Sequence, residues 1–273
     1  MPPFSPQWNA FTREAAIASQ SISSGLTTLR KAYYSSTGLY SHAFFSLAIG
    51  FERLLKIIVI IDYAVRHSGA LMPERMLRKY GHDIGLLFAD ARLARARTAS
   101  RSDIFDLPAN GIEADIIRFL TKFSKSTRYY NLDYLSGVAV TVDDPIREWF
   151  DSIGSRIFEA HYKPSDQRRD RARAEIVDAL IGSHSAVFHT AEDGSALTTV
   201  SSASFRTAQN KVLQKYGTFY CAKIARYLYI LLHDLEKPGH QVGLDVAGLH
   251  ELFFIFLEDR YLLSRKTFPP RGQ

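Results

Sequence analysis

Apolar positions along this chain recur with the period of a helix rather than the alternation of a strand. Residues 8–34 keep that spacing up to a break at Ser36-Thr37-Gly38. The next segment, 39–68, is apolar nearly all round, as expected of the central helix of a bundle, and Ser68-Gly69 closes it. Pro73 opens a third helical stretch, Glu74 to Arg101, with an interruption expected near Gly81 or Gly85. After the loop Leu107-Pro108-Ala109-Asn110-Gly111, helical spacing returns over 112–135 and ends at Gly137 and the β-branched run Val138 to Val142.

Asp143-Asp144-Pro145 then starts a helix that continues to Tyr162. Lys163-Pro164-Ser165-Asp166 separates it from a charged helix over 166–182. The segment 184–203 breaks the pattern. Two short β-prone runs flank Asp193-Gly194, which predicts a small hairpin near 185–200 that must lean on the helices to persist. A long helix over 204–236 stops at Pro238-Gly239, and a final helix covers 245–264. The expected fold is all-α, a bundle of about eight helices with one hairpin, in a single domain over 1–273.

Composition agrees with a packed interior. The chain has 273 residues, 46% of them hydrophobic, with 18 Phe and 14 Tyr against 10 Pro, which is ample for a sizeable core and argues against long disorder. The net charge of +6 biases the surface mildly toward anionic partners. Cys221 is the sole cysteine, so one chain can form no internal disulfide and no cysteine-based zinc site. Ala43 to Val65 is the most hydrophobic stretch, yet it carries Glu52, Arg53, Lys56 and Asp62, which a membrane-spanning helix would not. Met1 to Pro6 lacks the basic and apolar segments of a secretory signal, so the expected compartment is the cytoplasm, with no membrane partner. Phosphate-cradling glycine loops, the nucleophile elbow and Cys-x-x-Cys are all absent, which counts against nucleotide-driven motors, elbow hydrolases and redox enzymes.

Candidate chemistry gathers in three places. Glu52 and Lys56, four residues apart, share a helix face with Phe45, Ile49, Val59 and Tyr63. A charged pair in such a stripe predicts an internal ion pair, or support for a site on the neighbouring helix. His82, in Gly81-His82-Asp83, is able to act as acid, base or ligand near neutral pH, or to serve as a hydrogen-bonded structural residue. The run Arg128-Tyr129-Tyr130-Asn131-Leu132-Asp133 combines a guanidinium, an amide and two rings, suited to a phosphate and a stacked base. The same arginine could instead tie its helix end to Glu52. No His pair has metal-ligand spacing, so no metal or cofactor is expected. Basic residues crowd two segments, Arg92 to Arg101 and Lys163 to Arg173, but Asp166, Asp170 and Glu175 offset the second.

The order of these groups resembles the HEPN superfamily (higher eukaryotes and prokaryotes nucleotide-binding domains). An apolar helix with Glu52-x-x-x-Lys56 is followed by Gly81-His82-Asp83 and then by Arg128 to Asp133. The resemblance covers about 39–162 and leaves about 166–264 as a helical elaboration. It implies a helical bundle, commonly a homodimer, that binds RNA or a nucleotide. Many such proteins are metal-independent endoribonucleases of toxin or phage-defence systems, built on Arg, four to six residues, then His. Here Asp133 stands where that spacing from Arg128 would place the His. The resemblance therefore implies Arg128, Asp133 and His82 as catalytic candidates, with Asn131, Tyr129, Tyr130, Glu52 and Lys56 binding substrate. Arg156 and His161 form an alternative pair with the spacing intact. The competing expectation is a non-enzymatic interaction protein, a scaffold whose internal ion pairs fix helix register.

Overall fold

The computed structural model describes residues 5–98, 106–137, 143–256 and 258–270. Helices α1 (Pro6–Leu29) and α2 (Gly38–Arg66) form an antiparallel pair joined by a short 3-10 turn over Tyr34–Ser36. Two glycines let their backbones approach closely. A Cβ on Gly50 would sit 2.9 Å from the Ile22 amide, and one on Gly25 would sit 3.0 Å from the Leu47 amide. Helices α4 (Ile84–Thr98), α5 (Ile112–Lys125) and α10 (Val200–Gln241) also pack on α2, which is central as its all-round apolar sequence requires. Phe44 of α2 anchors the aromatic core, with its ring centroid 4.7 Å from Phe119, 5.6 Å from Phe123 and 5.1 Å from Trp149. The expected all-α bundle with one small antiparallel hairpin is the observed architecture. No described helix is long and apolar enough to cross a membrane.

Several elements are more broken than their spacing predicts. The stretch from Glu74 divides into α3 (Glu74–Lys79) and α4, with a turn between them at Gly81, whose φ is +50°. The helix expected over 112–135 ends at Lys125. There the Ser126 hydroxyl bonds the Lys122 carbonyl and the chain leaves helical dihedrals, passing through a 3-10 turn (Thr127–Tyr129) into α6 (Tyr130–Leu135). The expected end of that helix at Val138 to Val142 lies outside the described residues. The segment from Pro145 starts as expected, with Asp144 Oδ1 accepting from the Ile146 amide at 2.8 Å. It then runs through α7 (Pro145–Glu148), a π-helical turn (Trp149–Gly154) and α8 (Ser155–His161).

Helix α9 (Pro164–Ile181) lies on the outside, burying Ala174 and leaving most other side chains exposed. Strands β1 (His189–Thr190) and β2 (Ala196–Leu197) pair antiparallel, with His189 opposite Leu197. They lean on the bundle as a short hairpin must: Tyr40 donates to the buried Glu192 at 3.1 Å, and Arg206 donates to Asp193 at 2.5 Å.

Two expectations at the C-terminal side are corrected. Helix α10 continues through Pro238 to Gln241, because Gly239 packs against Ile61 and Val246 and this burial offsets the lost hydrogen bond. The helix expected over 245–264 is instead a 3-10 segment (Leu249–Phe256) followed by α11 (Asp259–Ser264).

Candidate functional site

Where α2, the Tyr80–Asp83 turn and the C-terminal end of α5 meet, the surface opens into a pocket of about 490 Å³. Its floor is apolar, from Phe45, Ile49, Ile57 and Phe123, and its polar groups are Glu14, Glu52, Arg53, Lys56, His82, Ser124 and Arg128. The apolar stripe of α2 that carries Glu52 and Lys56 is thus not sealed inside the bundle. Ile49 is 45% exposed, and the stripe forms the wall of a cleft.

Glu52 is the hub. One carboxylate oxygen accepts from Lys56 Nζ at 2.6 Å and the other meets His82 Nδ1 at 3.0 Å. Lys56 also donates to the Gly81 carbonyl at 3.1 Å, and Ser124 Oγ donates to the His82 carbonyl at 2.8 Å. The turn that presents His82 is therefore tied to α2 and to α5. Asp83 caps the next helix by accepting from the Leu86 amide at 2.9 Å, and Lys125 pairs with its other oxygen. The Lys125 ammonium holds the Asp83 carboxyl below its ordinary range. Behind the turn, burial and a hydrogen bond to Asp90 push the Tyr80 hydroxyl up to about 12, so it stays a neutral donor.

The orientation of His82 has a chemical consequence. A carboxylate only accepts, so the Glu52 contact assigns the proton of a neutral imidazole to Nδ1 and leaves Nε2 as a bare acceptor. The side chain is 58% exposed, and Nε2 has no partner among the described residues. Arg128 reaches the same pocket from the 3-10 turn after α5. Its guanidinium lies over the Tyr129 ring, 4.9 Å from the centroid, and makes no ion pair with Glu52, so it is not the structural fork the sequence also allowed. Arg53 is paired with Glu14 and Lys56 with Glu52, which leaves Arg128 as the cation of the pocket without a carboxylate partner among the described residues.

The structure thus brings Glu52, Lys56, His82 and Arg128 together from separate elements. It places the others elsewhere. Tyr129, Tyr130, Asn131 and Asp133 do not line this pocket, because the kink at Ser126 turns α6 away from the axis of α5. Arg156 is bonded to Asp115 and to the Asn110 carbonyl, and His161 lies on another face of α8, stacked on Tyr216 with centroids 3.7 Å apart. Among the described residues, no three His, Cys, Asp or Glu side chains gather as a metal-binding group.

Sequence reasoning missed Glu14, Arg53 and Ser124. Arg53 and Glu14 pair across two helices, which no local spacing announces, and Ser124 acts only through its contact with a distant turn. The Asp83 cap was missed as well, although Asp just before an apolar helical start is a recognised N-terminal signal.

No family model, no curated protein and no solved structure matches this chain.

Proposed function

We propose that the chain binds RNA in this pocket and cleaves it there without a metal ion. His82 Nε2 takes the proton of a ribose 2′-hydroxyl, whose oxygen attacks the adjacent phosphorus. The new 2′-O–P bond forms as the P–O5′ bond breaks, and the leaving 5′-oxygen is protonated from solvent, giving a 2′,3′-cyclic phosphate and a 5′-hydroxyl end. Arg128 holds the phosphate and offsets its developing charge. Glu52 keeps His82 in the reactive tautomer, while Lys56 positions Glu52 and the turn. In this scheme His82 takes the part that the HEPN resemblance would give to the position of Asp133, which lies outside the pocket.

The observation that carries this reading is a carboxylate-oriented histidine sharing a solvent-open pocket with an arginine, where His82 Nε2 has no partner and Arg128 no carboxylate among the described residues. The test is RNA cleavage in EDTA by the wild type, Arg128→Ala and His82→Ala. Cyclic-phosphate product from the wild type, lost in both variants, is the expected result. Background cleavage from all of them removes the enzyme.

A second reading, a non-enzymatic interaction scaffold, draws on the two pairs Arg53–Glu14 and Lys56–Glu52, which tie α1, α2 and the turn without needing a ligand. Filter binding of RNA across a salt series separates the two. The RNA reading expects binding that weakens steeply with salt, whereas a scaffold binds little RNA at any salt.

A further inference from the structure

Further along α2 lies a second set of cations. Asp62 is 5% exposed and accepts from Arg66 Nε at 2.9 Å, from Arg97 Nε at 3.3 Å and from Arg97 Nη2 at 2.7 Å. One buried carboxylate therefore anchors two guanidiniums and neutralises one of them. Among the described residues, both Arg66 terminal nitrogens and Arg97 Nη1 are left with donors to offer. These arginines line a cavity of about 590 Å³ that Lys237 and His233 close from α10. Asp234 also lines it, but its carboxylate is held by Arg95, so the cations outnumber the free carboxylates.

Guanidiniums fixed at one edge and open at the other suit an oxyanion, because their orientation is settled before the ligand arrives. The position relative to the first pocket is equally informative. Tyr80 lines a depression of about 210 Å³ shared with Asp62, Arg66 and Arg97, while His82, two residues on, lines the first pocket. The depression and the first pocket therefore flank one turn, and Asp62, Arg66 and Arg97 line both the depression and the larger cavity. Arg66 lies about 15 Å beyond Lys56 along the helix axis, at about 1.5 Å per residue. Gly81, whose carbonyl accepts from Lys56, carries no side chain, and the space beyond its Cα is open.

We infer that the Asp62-anchored arginines form a second phosphate site for the same strand, so that the ligand is a single-stranded oligoribonucleotide spanning both pockets. This rests on the RNA reading above. The scissile linkage lies at His82 and Arg128, the strand crosses the saddle at Gly81, and a further phosphate rests on Arg66, Arg97 and Lys237. A mononucleotide fills one pocket and gains nothing from the other.

The experiment uses uncleavable 2′-O-methyl oligoribonucleotides of increasing length, from one to eight nucleotides, with affinity measured by fluorescence anisotropy across a salt series. Arg66→Ala/Lys237→Ala is the informative variant, because Arg97 keeps its bidentate hold on Asp62. Lys237→Ala alone, outside that network, serves if the double variant melts early. Wild-type affinity is expected to rise with length. The double variant should bind the longer strands about tenfold more weakly, the worth of one strong hydrogen-bonded ion pair, and the mononucleotide as the wild type does. Its log-log salt slope should be shallower by about 0.7 for each phosphate it no longer neutralises. If the variant matches the wild type in length dependence and slope while Arg128→Ala binds weakly, the second site is overturned and the first pocket stands. If the wild type binds no RNA of any length, both fall together.

Discussion

Among the described residues, His82 at the turn before α4 keeps one ring nitrogen bare and the nearby Arg128 has no carboxylate partner. On α8, Arg156 is bonded to Asp115 and the Asn110 carbonyl, and His161 lies flat on Tyr216 with Nε2 bonded to the Tyr220 hydroxyl at 2.8 Å. The residue types are the same and the second pair even has the better spacing in sequence. The difference is in what each group has left to offer. Burial and the nearby Lys215 push His161 below its ordinary value, keeping it neutral in a packed setting. His82 instead faces a cavity large enough for a ligand. Chemistry needs uncommitted donors and acceptors, and packing uses them up.

The largest expected effect separates the two histidines. His82→Ala should lower RNA cleavage by about 10²- to 10⁴-fold, the range for a general base. His161→Ala should leave the rate within about twofold, since its loss is one of stacking rather than of a reacting group. A comparable loss from His161→Ala would reverse the assignment.

Next in size is a contrast of ion pairs. Glu113 is 2% exposed and is bonded to Lys223, close to the His161 cluster. Glu113→Ala should cost about 3 kcal/mol of unfolding free energy, as when one partner of a buried pair is removed. Glu52→Ala, in the open pocket, should cost about 1 kcal/mol while lowering cleavage about 10- to 100-fold, because His82 loses its orientation. Urea denaturation of both variants checks the pair, and equal losses would mean that the pocket is as structural as the core.

The smallest effects follow the titration of buried groups. Because the folded His161 binds its proton more weakly than the unfolded one, stability should fall as pH drops through about 6.5 toward the lowered folded value. His161→Gln should flatten that slope. Glu192, in the hairpin loop, has the opposite sign: burial raises its carboxyl, so its stabilising share is lost as pH rises through the folded value. Glu192→Gln, which can still accept from Tyr40, should therefore melt slightly higher than the wild type at neutral pH.

Local signals in the sequence predicted much of this. The spacing of Glu52 and Lys56 implied a shared face and the pair is formed, and Asp193-Gly194 implied a turn that Gly194 makes at φ +82°. Composition and helical period were enough for the all-α fold. What the sequence hid depends on tertiary partners. The run Arg128 to Asp133 reads as one cluster, but the Ser126 kink sends Arg128 into the pocket and Asn131 and Asp133 away from it. Arg66 and Arg97 meet on Asp62 only because α2 and α4 pack together. Pro238 reads as a stop, yet burial of the next residue carries the helix past it. The likeness to HEPN proteins rests on the quoted residues alone.

The most direct test follows the ring nitrogens of the histidines by ¹⁵N NMR while an uncleavable 2′-O-methyl oligoribonucleotide is added to the whole protein. Filling of the pocket should shift the His82 Nε2 resonance in proportion to occupancy and leave that of His161 unmoved. Movement of His161 with His82 silent would place the ligand on α8 and contradict the account.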